Sequence, residues 1–466
     1  MDESRRHHLD GLSQCHQGRL RQSLADSSQM SVKAITQLTI SLLLGAVSAS
    51  GYTKLGNGTL QSNGSEADTQ AAINAAHSGS IVEIPNGTYS WTSGVTIAGK
   101  PICLRAESVD GVTISNHSAL PALVSVAEAR NGNIEIAGIR FVSGFTSGAP
   151  DTHNHVRVVH SPGGKPVLVH DCYFETNYVS VIFALGWETN GGVIWRCKFF
   201  SNYNLLGGIE FKSGSAESWR TPSTMGMSDV NGTANTYVED CRFTGIFIDC
   251  VDFDDNSRTV LRHCTIDNSM IYCHGQDSSP DGARHWEVYD NTCIYTPSGS
   301  PAGFPKITYP LNLQAWFSVR GGTGVIADNV FPTIPSKNAI QMNVFSINRR
   351  SLSIPCQTRY PAARQVGQTW IGAGGYSYPN APIDGGGYST DAVYIWGNSG
   401  TAAESPTFVG LNQYLPDECG NGQRIADYVK SGRDYILGKP KPGYAKFTYP
   451  HPLRLAVEAR GNSHAK

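Results

Sequence analysis

Seven times between Ile139 and Phe331 the chain repeats one short pattern, and that repeat restricts the fold more than any other feature of the sequence. With Ile139, Cys172, Cys197, Cys241, Cys264, Asn291 and Asn329 set in one column, the residues three places earlier are Ile136, Val169, Ile194, Val238, Leu261, Val288 and Ile326. Two places later stand Phe141, Phe174, Phe199, Phe243, Ile266, Cys293 and Phe331. An apolar strand, a corner and a second apolar strand therefore recur in register, at intervals of 33, 25, 44, 23, 27 and 38 residues. A fixed unit with variable excess is the mark of stacked coils with surface insertions. Small side chains suit the column, Asn by amide ladders and Cys as a compact hydrophobe. Asp171, Asp240, His263, Asp290 and Asp328 stand just before it and are of types that tolerate positive φ, so they are expected to form the corners.

The 466 residues include 50 glycines and 16% charged residues, with a formal net charge of −2. This near-neutral balance gives no electrostatic case for nucleic acid as a partner. Met30-Ser-Val-Lys33, the apolar run Ala34 to Val47 and the small residues Val47-Ser48-Ala49 read as a signal peptide over 30–49. Residues 1–29 read as an upstream extension, with Met30 the expected start, and the protein as secreted or periplasmic. No later stretch has the roughly 18 apolar residues of a transmembrane segment. No two of the 11 cysteines stand two to four residues apart, which argues against zinc, and the column cysteines are expected as stacked thiols. A Cys356–Cys419 disulfide is left open.

Asp68 to His77 reads as a short amphipathic helix, followed by the strand Ile81 to Ile84 and a Pro85-Asn86-Gly87 turn. With the column, this stretch resembles the entry of the pectate-lyase-like right-handed parallel β-helix proteins, in which a helix caps the first coil. The resemblance implies an all-β solenoid over 50–345, reaching weakly to Val393-Tyr-Ile-Trp-Gly-Asn398 with Asn398 in the column. Residues 346–466 are expected as further coils and an irregular extension packed on the solenoid. The stretch from Gly432 to Pro452 is similar to the closing tail of secreted bacterial members.

The three longest intervals place insertions near 143–156, 213–233 and 296–312, which are expected to wall a groove. Its floor should carry Glu210 and Lys212, then Asp249, Asp252, Asp254 and Asp255, then His274, on successive strands roughly 4.8 Å apart. Crowded carboxylates split their protonation, so that one can serve as acid and another as base. Asp254-Asp255 followed by His274-Gly275 is similar to part of the polygalacturonase signature, which implies catalytic roles for Asp254, Asp255 and His274, and the carboxylate cluster adds Asp252 as a candidate acid or base. Cys273 stands where that signature has its first glycine, and its Asn-Thr-Asp and Arg-Ile-Lys elements are missing.

The leading expectation is thus a polysaccharide hydrolase. A uronate lyase would instead use Lys212, Arg284 or Arg320, with a base held at depressed pKa and a cation facing the carboxylate. A glycan-binding solenoid without catalysis is the third reading, because fold does not fix function. Glu210, Lys212, Trp219, Arg284, Trp316 and Arg320 are the expected substrate contacts, the tryptophans as stacking platforms together with Trp187. Trp195 and Trp286 are expected inside the repeat. No cofactor is required, though the Asp249, Asp252 and Asp254 cluster is compatible with calcium.

Overall fold

A computed structural model describes residues 51–463 apart from 128–130, 145–151, 160–163, 178–180, 202–205, 213–228, 275–282, 297–312, 314, 336–340, 345–367, 371–387 and 401–430. Each coil contributes one strand to each of three sheets, as in Val167–His170, Tyr173–Thr176 and Val181–Trp187. Strands three apart in sequence pair in parallel, so the first sheet runs Ile81–Ile84, Cys103–Ala106, Ile134–Ala137, Val167–His170 and onward to Val393–Trp396 and Tyr435–Leu437. This is the expected parallel β-helix, right-handed as such crossovers are.

The column holds coil by coil. Val169 pairs with Ile194, Ile194 with Val238, Val238 with Leu261, Leu261 with Val288 and Val288 with Ile326. Asp171, Arg196, Asp240, His263, Asp290 and Asp328, each just before the column, have φ between 50° and 56°. Gly138 and Gly397 do the same at either end, with φ of 75° and 63°. Arg196 shows that a long side chain is tolerated there, which its residue type gave no reason to expect.

Thiols and amides in the column make the same bond. Cys172, Cys197, Cys241 and Cys264 donate from Sγ to the carbonyls of Ile136, Val169, Ile194 and Val238, at 3.9, 3.7, 3.7 and 3.6 Å. Asn291, Asn329 and Asn398 donate from Nδ2 to Leu261, Val288 and Ile326, each at 2.9 Å. In every case the acceptor lies three places before the column in the preceding coil. The amides also bond one another, Asn291 Nδ2 to Asn329 Oδ1 and Asn329 Nδ2 to Asn398 Oδ1, both at 2.9 Å. Inside the coils Phe141, Phe174, Phe199 and Phe243 stack at 5.3, 5.0 and 4.7 Å between centroids.

Helix α1, Glu66–Ala75, starts slightly earlier than its apolar pattern suggests, because Ser65 caps it by accepting from Asp68 N. Ala72 and Ile73 are buried as it packs against Ile81–Ile84 and Val95–Ala98 at the amino-terminal end. Lys100 Nζ caps its other end, donating to the carbonyls of Ile73, Asn74 and Ala76 at 3.2, 2.8 and 3.0 Å. The chain closes with helix α2, Pro452–Ser463, which lies along the first sheet. Among the described residues no helix is long and apolar enough to cross a membrane.

Candidate functional site

The third sheet assembles the site. Its strands Val181–Trp187, Leu206–Phe211, Asp249–Phe253, Ile271–Cys273 and Ala315–Val319 run side by side. Gly186, Glu210, Asp252, Tyr272 and Ser318 share one register position. Leu185, Ile209, Val251, Ile271 and Phe317 precede them and are buried in the core, so alternation turns Glu210, Asp252 and Tyr272 outward. Two places on, a second outward file forms just past the strand ends. Backbone bonds fix it: Lys212 N to Trp187 O at 2.8 Å, Asp254 N to Phe211 O at 3.0 Å, His274 N to Phe253 O at 2.7 Å and Arg320 N to Cys273 O at 3.0 Å.

Asp249 enters this group through an irregularity. Pairing shifts between Leu206 and Ile209, and a Cβ on Gly208 would stand 1.8 Å from the Cys250 carbonyl, so only glycine fits the bulge. Asp249 is 4% exposed and Asp252 2%, while Asp254 lies at 8%.

The contacts are short. His274 Nδ1 lies 2.7 Å from Asp252 Oδ1 and 3.9 Å from Asp254 Oδ2. Asp255 N donates to Asp254 Oδ1 at 2.8 Å, and Lys212 Nζ pairs with Glu210 Oε1 at 2.7 Å. The Tyr272 ring meets His274 edge-on at 4.9 Å, and the Arg320 guanidinium lies 5.1 Å from its centre. Tyr272 was not anticipated, although its place between the inward Ile271 and Cys273 was visible as alternation.

Burial works against charge on His274, but the carboxylate of Asp252, with Asp254, outweighs both burial and the opposing Arg320, and the imidazole is pushed up to about 9. It is therefore an imidazolium at neutral pH. Burial, reinforced by the charge of Asp252, pushes the Asp249 carboxyl well above the usual carboxylate range. For Lys212, burial is overcome by Glu210, Asp254 and Asp255, and its pKa rises. A lysine acting as base would need the opposite shift.

One oxygen each of Asp252 and Asp254 and one nitrogen of His274 lie within 4.8 Å of one another, a donor set that a metal ion could use. Two carboxylates with one imidazole form a mixed oxygen and nitrogen set, whereas calcium prefers oxygen throughout. The 2.7 Å contact of His274 with Asp252 is a proton-bearing hydrogen bond that an ion would have to displace.

Other expected residues fall elsewhere. Trp187 and Trp316 are fully buried in the core, Trp316 donating to the Pro332 carbonyl at 2.6 Å, and neither ring offers a face to solvent. Arg284 and Arg320 are buried, at 0% and 4% exposure, and do not stand out at a rim. Trp195 and Trp286 are buried as expected. Trp219, Cys356 and Cys419, with most of the expected insertions, lie outside the described residues.

No family model matches the chain. No curated protein sequence matches it. Several solved structures are similar at low identity. An alginate lyase from a Paenibacillus species is 13% identical, covering 66% of this chain and 96% of its own, with a TM-score of 0.30. A pectin methylesterase from Aspergillus niger is 12% identical over 76% of this chain and 92% of its own, with a TM-score of 0.33. A mannuronic acid specific polysaccharide family 6 lyase from human gut microbiota is 13% identical over 87% and 94%, with a TM-score of 0.38.

Proposed function

We propose that the chain is an exported enzyme that cleaves a polysaccharide by hydrolysis on the outer face of the third sheet. The observation that carries this reading is the convergence of Asp252, Asp254 and His274 from two successive coils. Asp252 and Asp254 act as the acid and base pair, with Asp255 beside them donating its backbone N–H to Asp254. One member of the pair gives its proton to the leaving oxygen while the other, ionised, activates water, and the His274 imidazolium holds that ionised member in place. Glu210, Lys212 and Tyr272 flank the pair on neighbouring coils and contact the sugar chain, while the buried Arg320 packs on the Tyr272 ring and the fully buried Arg284 does not reach the sugar. Trp219 stays in this proposal as a stacking platform. Export follows from the apolar run Ala34 to Val47 and the Val47-Ser48-Ala49 site.

Elimination from a uronate is the second reading, favoured by the cations Lys212, His274 and Arg320 standing in one file with Asp254. The raised pKa of Lys212 counts against its use as the base. Calcium at Asp249, Asp252 and Asp254 is compatible with either reading, but the imidazolium already supplies a positive charge there. Cleavage is therefore expected to survive EDTA, and a loss restored by calcium would assign the carboxylates to a metal.

Incubation with a panel of neutral and uronate polysaccharides tests the reading. Hydrolysis predicts new reducing ends without an unsaturated uronate chromophore. Both signals together would establish elimination, and binding without new ends would establish a glycan-binding solenoid.

A further inference from the structure

The residues that turn the corners also face the end of the chain. From Lys441 onward the backbone runs back along the outer face of the first sheet, bonding one coil after another. Tyr444 Oη donates to Glu287 Oε2 at 2.7 Å, and Lys446 Nζ lies 2.9 Å from Asp290 Oδ1 and 2.6 Å from Asp328 Oδ2. Arg262 donates to the carbonyls of Phe447 and Thr448 at 2.6 and 2.8 Å. Tyr449 Oη donates to Asp240 Oδ1 at 2.8 Å while its ring packs on His263. Arg454 pairs with Asp240, Glu458 with Arg196, and Arg460 with Glu135 at 3.1 Å. Phe447, Leu453 and Val457 fill the spaces over Trp195, Tyr237, Val260 and Tyr289.

Four corner residues, Asp240, His263, Asp290 and Asp328, thus contact this segment directly, and Asp171 does so through Arg196, which pairs with both Asp171 and Glu458. All adopt positive φ, where asparagine would serve the turn as well. Turning alone does not require a charge. Asparagine stands at none of these corners, and the segment opposite brings Lys446, Arg454 and Arg460. In a solenoid each coil touches only its neighbours, so coils far apart are coupled only through those between them. A segment bonded to coils from Glu135 to Asp328 adds direct coupling across that distance.

We propose that the corner aspartates form an acidic docking rail whose partner is the basic, tyrosine-bearing carboxy-terminal segment, and that docking makes distant coils open together. The test is hydrogen exchange on the full chain carrying Asp240→Asn, Asp290→Asn and Asp328→Asn together. These substitutions keep the corner conformation and remove the charge. Exchange of the Tyr444 to Arg454 amides is expected to rise about tenfold, with parallel loss of protection in strands as far apart as Val167–His170 and His285–Tyr289. High salt should loosen the wild-type segment more than that of the variant, which keeps the Glu458–Arg196, Arg460–Glu135 and Arg454–Glu239 pairs. Wild-type protection in the variant would overturn the rail. Should the triple variant fail to fold, Lys446→Gln with Arg454→Gln removes the same pairs from the segment side. There, exchange that rises only at the segment, with the strands unchanged, would overturn the coupling.

Discussion

At His170 two carboxylates decide the state of one ring. Its Nδ1 lies 2.7 Å from Asp171 Oδ2 and its Nε2 3.3 Å from Glu135 Oε1, with the imidazole stacked on Trp195 at 4.2 Å. Burial opposes the charge, but Asp171 and Glu135 outweigh it and push the pKa up to about 9. The ordinary value is near 6.5, so the folded state binds the proton more tightly than the unfolded chain. The resulting stability is fully present below about pH 6.5 and is lost as pH rises through about 9, on the order of 1–3 kcal/mol. Urea unfolding of wild type and His170→Gln should show the difference between them shrinking from pH 6 to pH 9.5. A difference that stays constant over that range would place the neutral ring in the fold. Residue types announced the corner aspartates, Asp171 among them, whereas the second partner of His170, Glu135, is brought in from the neighbouring coil and left no local sign.

The column is the element at which sequence and structure meet most closely. Its positions were legible because the apolar residues three before and two after belong to the same corner, within six residues of chain. The bond that unites thiols and amides was not, since its acceptor lies 26 to 72 residues away. Asn329→Ala would strip a partner from the Val288 carbonyl and from both Asn291 N and Nδ2, all buried. It should cost about 2–4 kcal/mol in chemical denaturation. Cys264→Asn should instead stay within about 1 kcal/mol of wild type, because the amide can make the same bond to Val238 and offer an acceptor to the coil before. A loss as large as that of Asn329→Ala would separate the two halves of the column. Alternation likewise predicts Trp187 inside with Phe211 and Phe253, its neighbours in register. Trp316 escaped that rule because pairing shifts between Ala315 and Phe317.

Across the whole molecule, stacking in register turns distant stretches of sequence into one surface. Glu210 and Lys212, Asp252 and Asp254, and His274 come from three successive coils, the first two separated by an insertion, and their order along the chain was enough to group them. What sequence could not supply was the bulge at Gly208, the burial of the arginines and the return of the chain end over the first sheet. Beneath that segment Arg262 and Glu239 form a fully buried ion pair, with Arg262 Nε 2.9 Å from Glu239 Oε1. Arg262→Ala would leave a buried carboxylate short of its partner and should cost about 3–5 kcal/mol in urea unfolding. The proposed hydrolysis depends on the third-sheet carboxylates doing chemistry. Its most direct measurement is the rate of polysaccharide cleavage by Asp254→Ala, with folding checked by the thermal melt. An unchanged melt and a rate lower by about 100-fold or more are expected. Full activity in that folded variant would contradict the proposal.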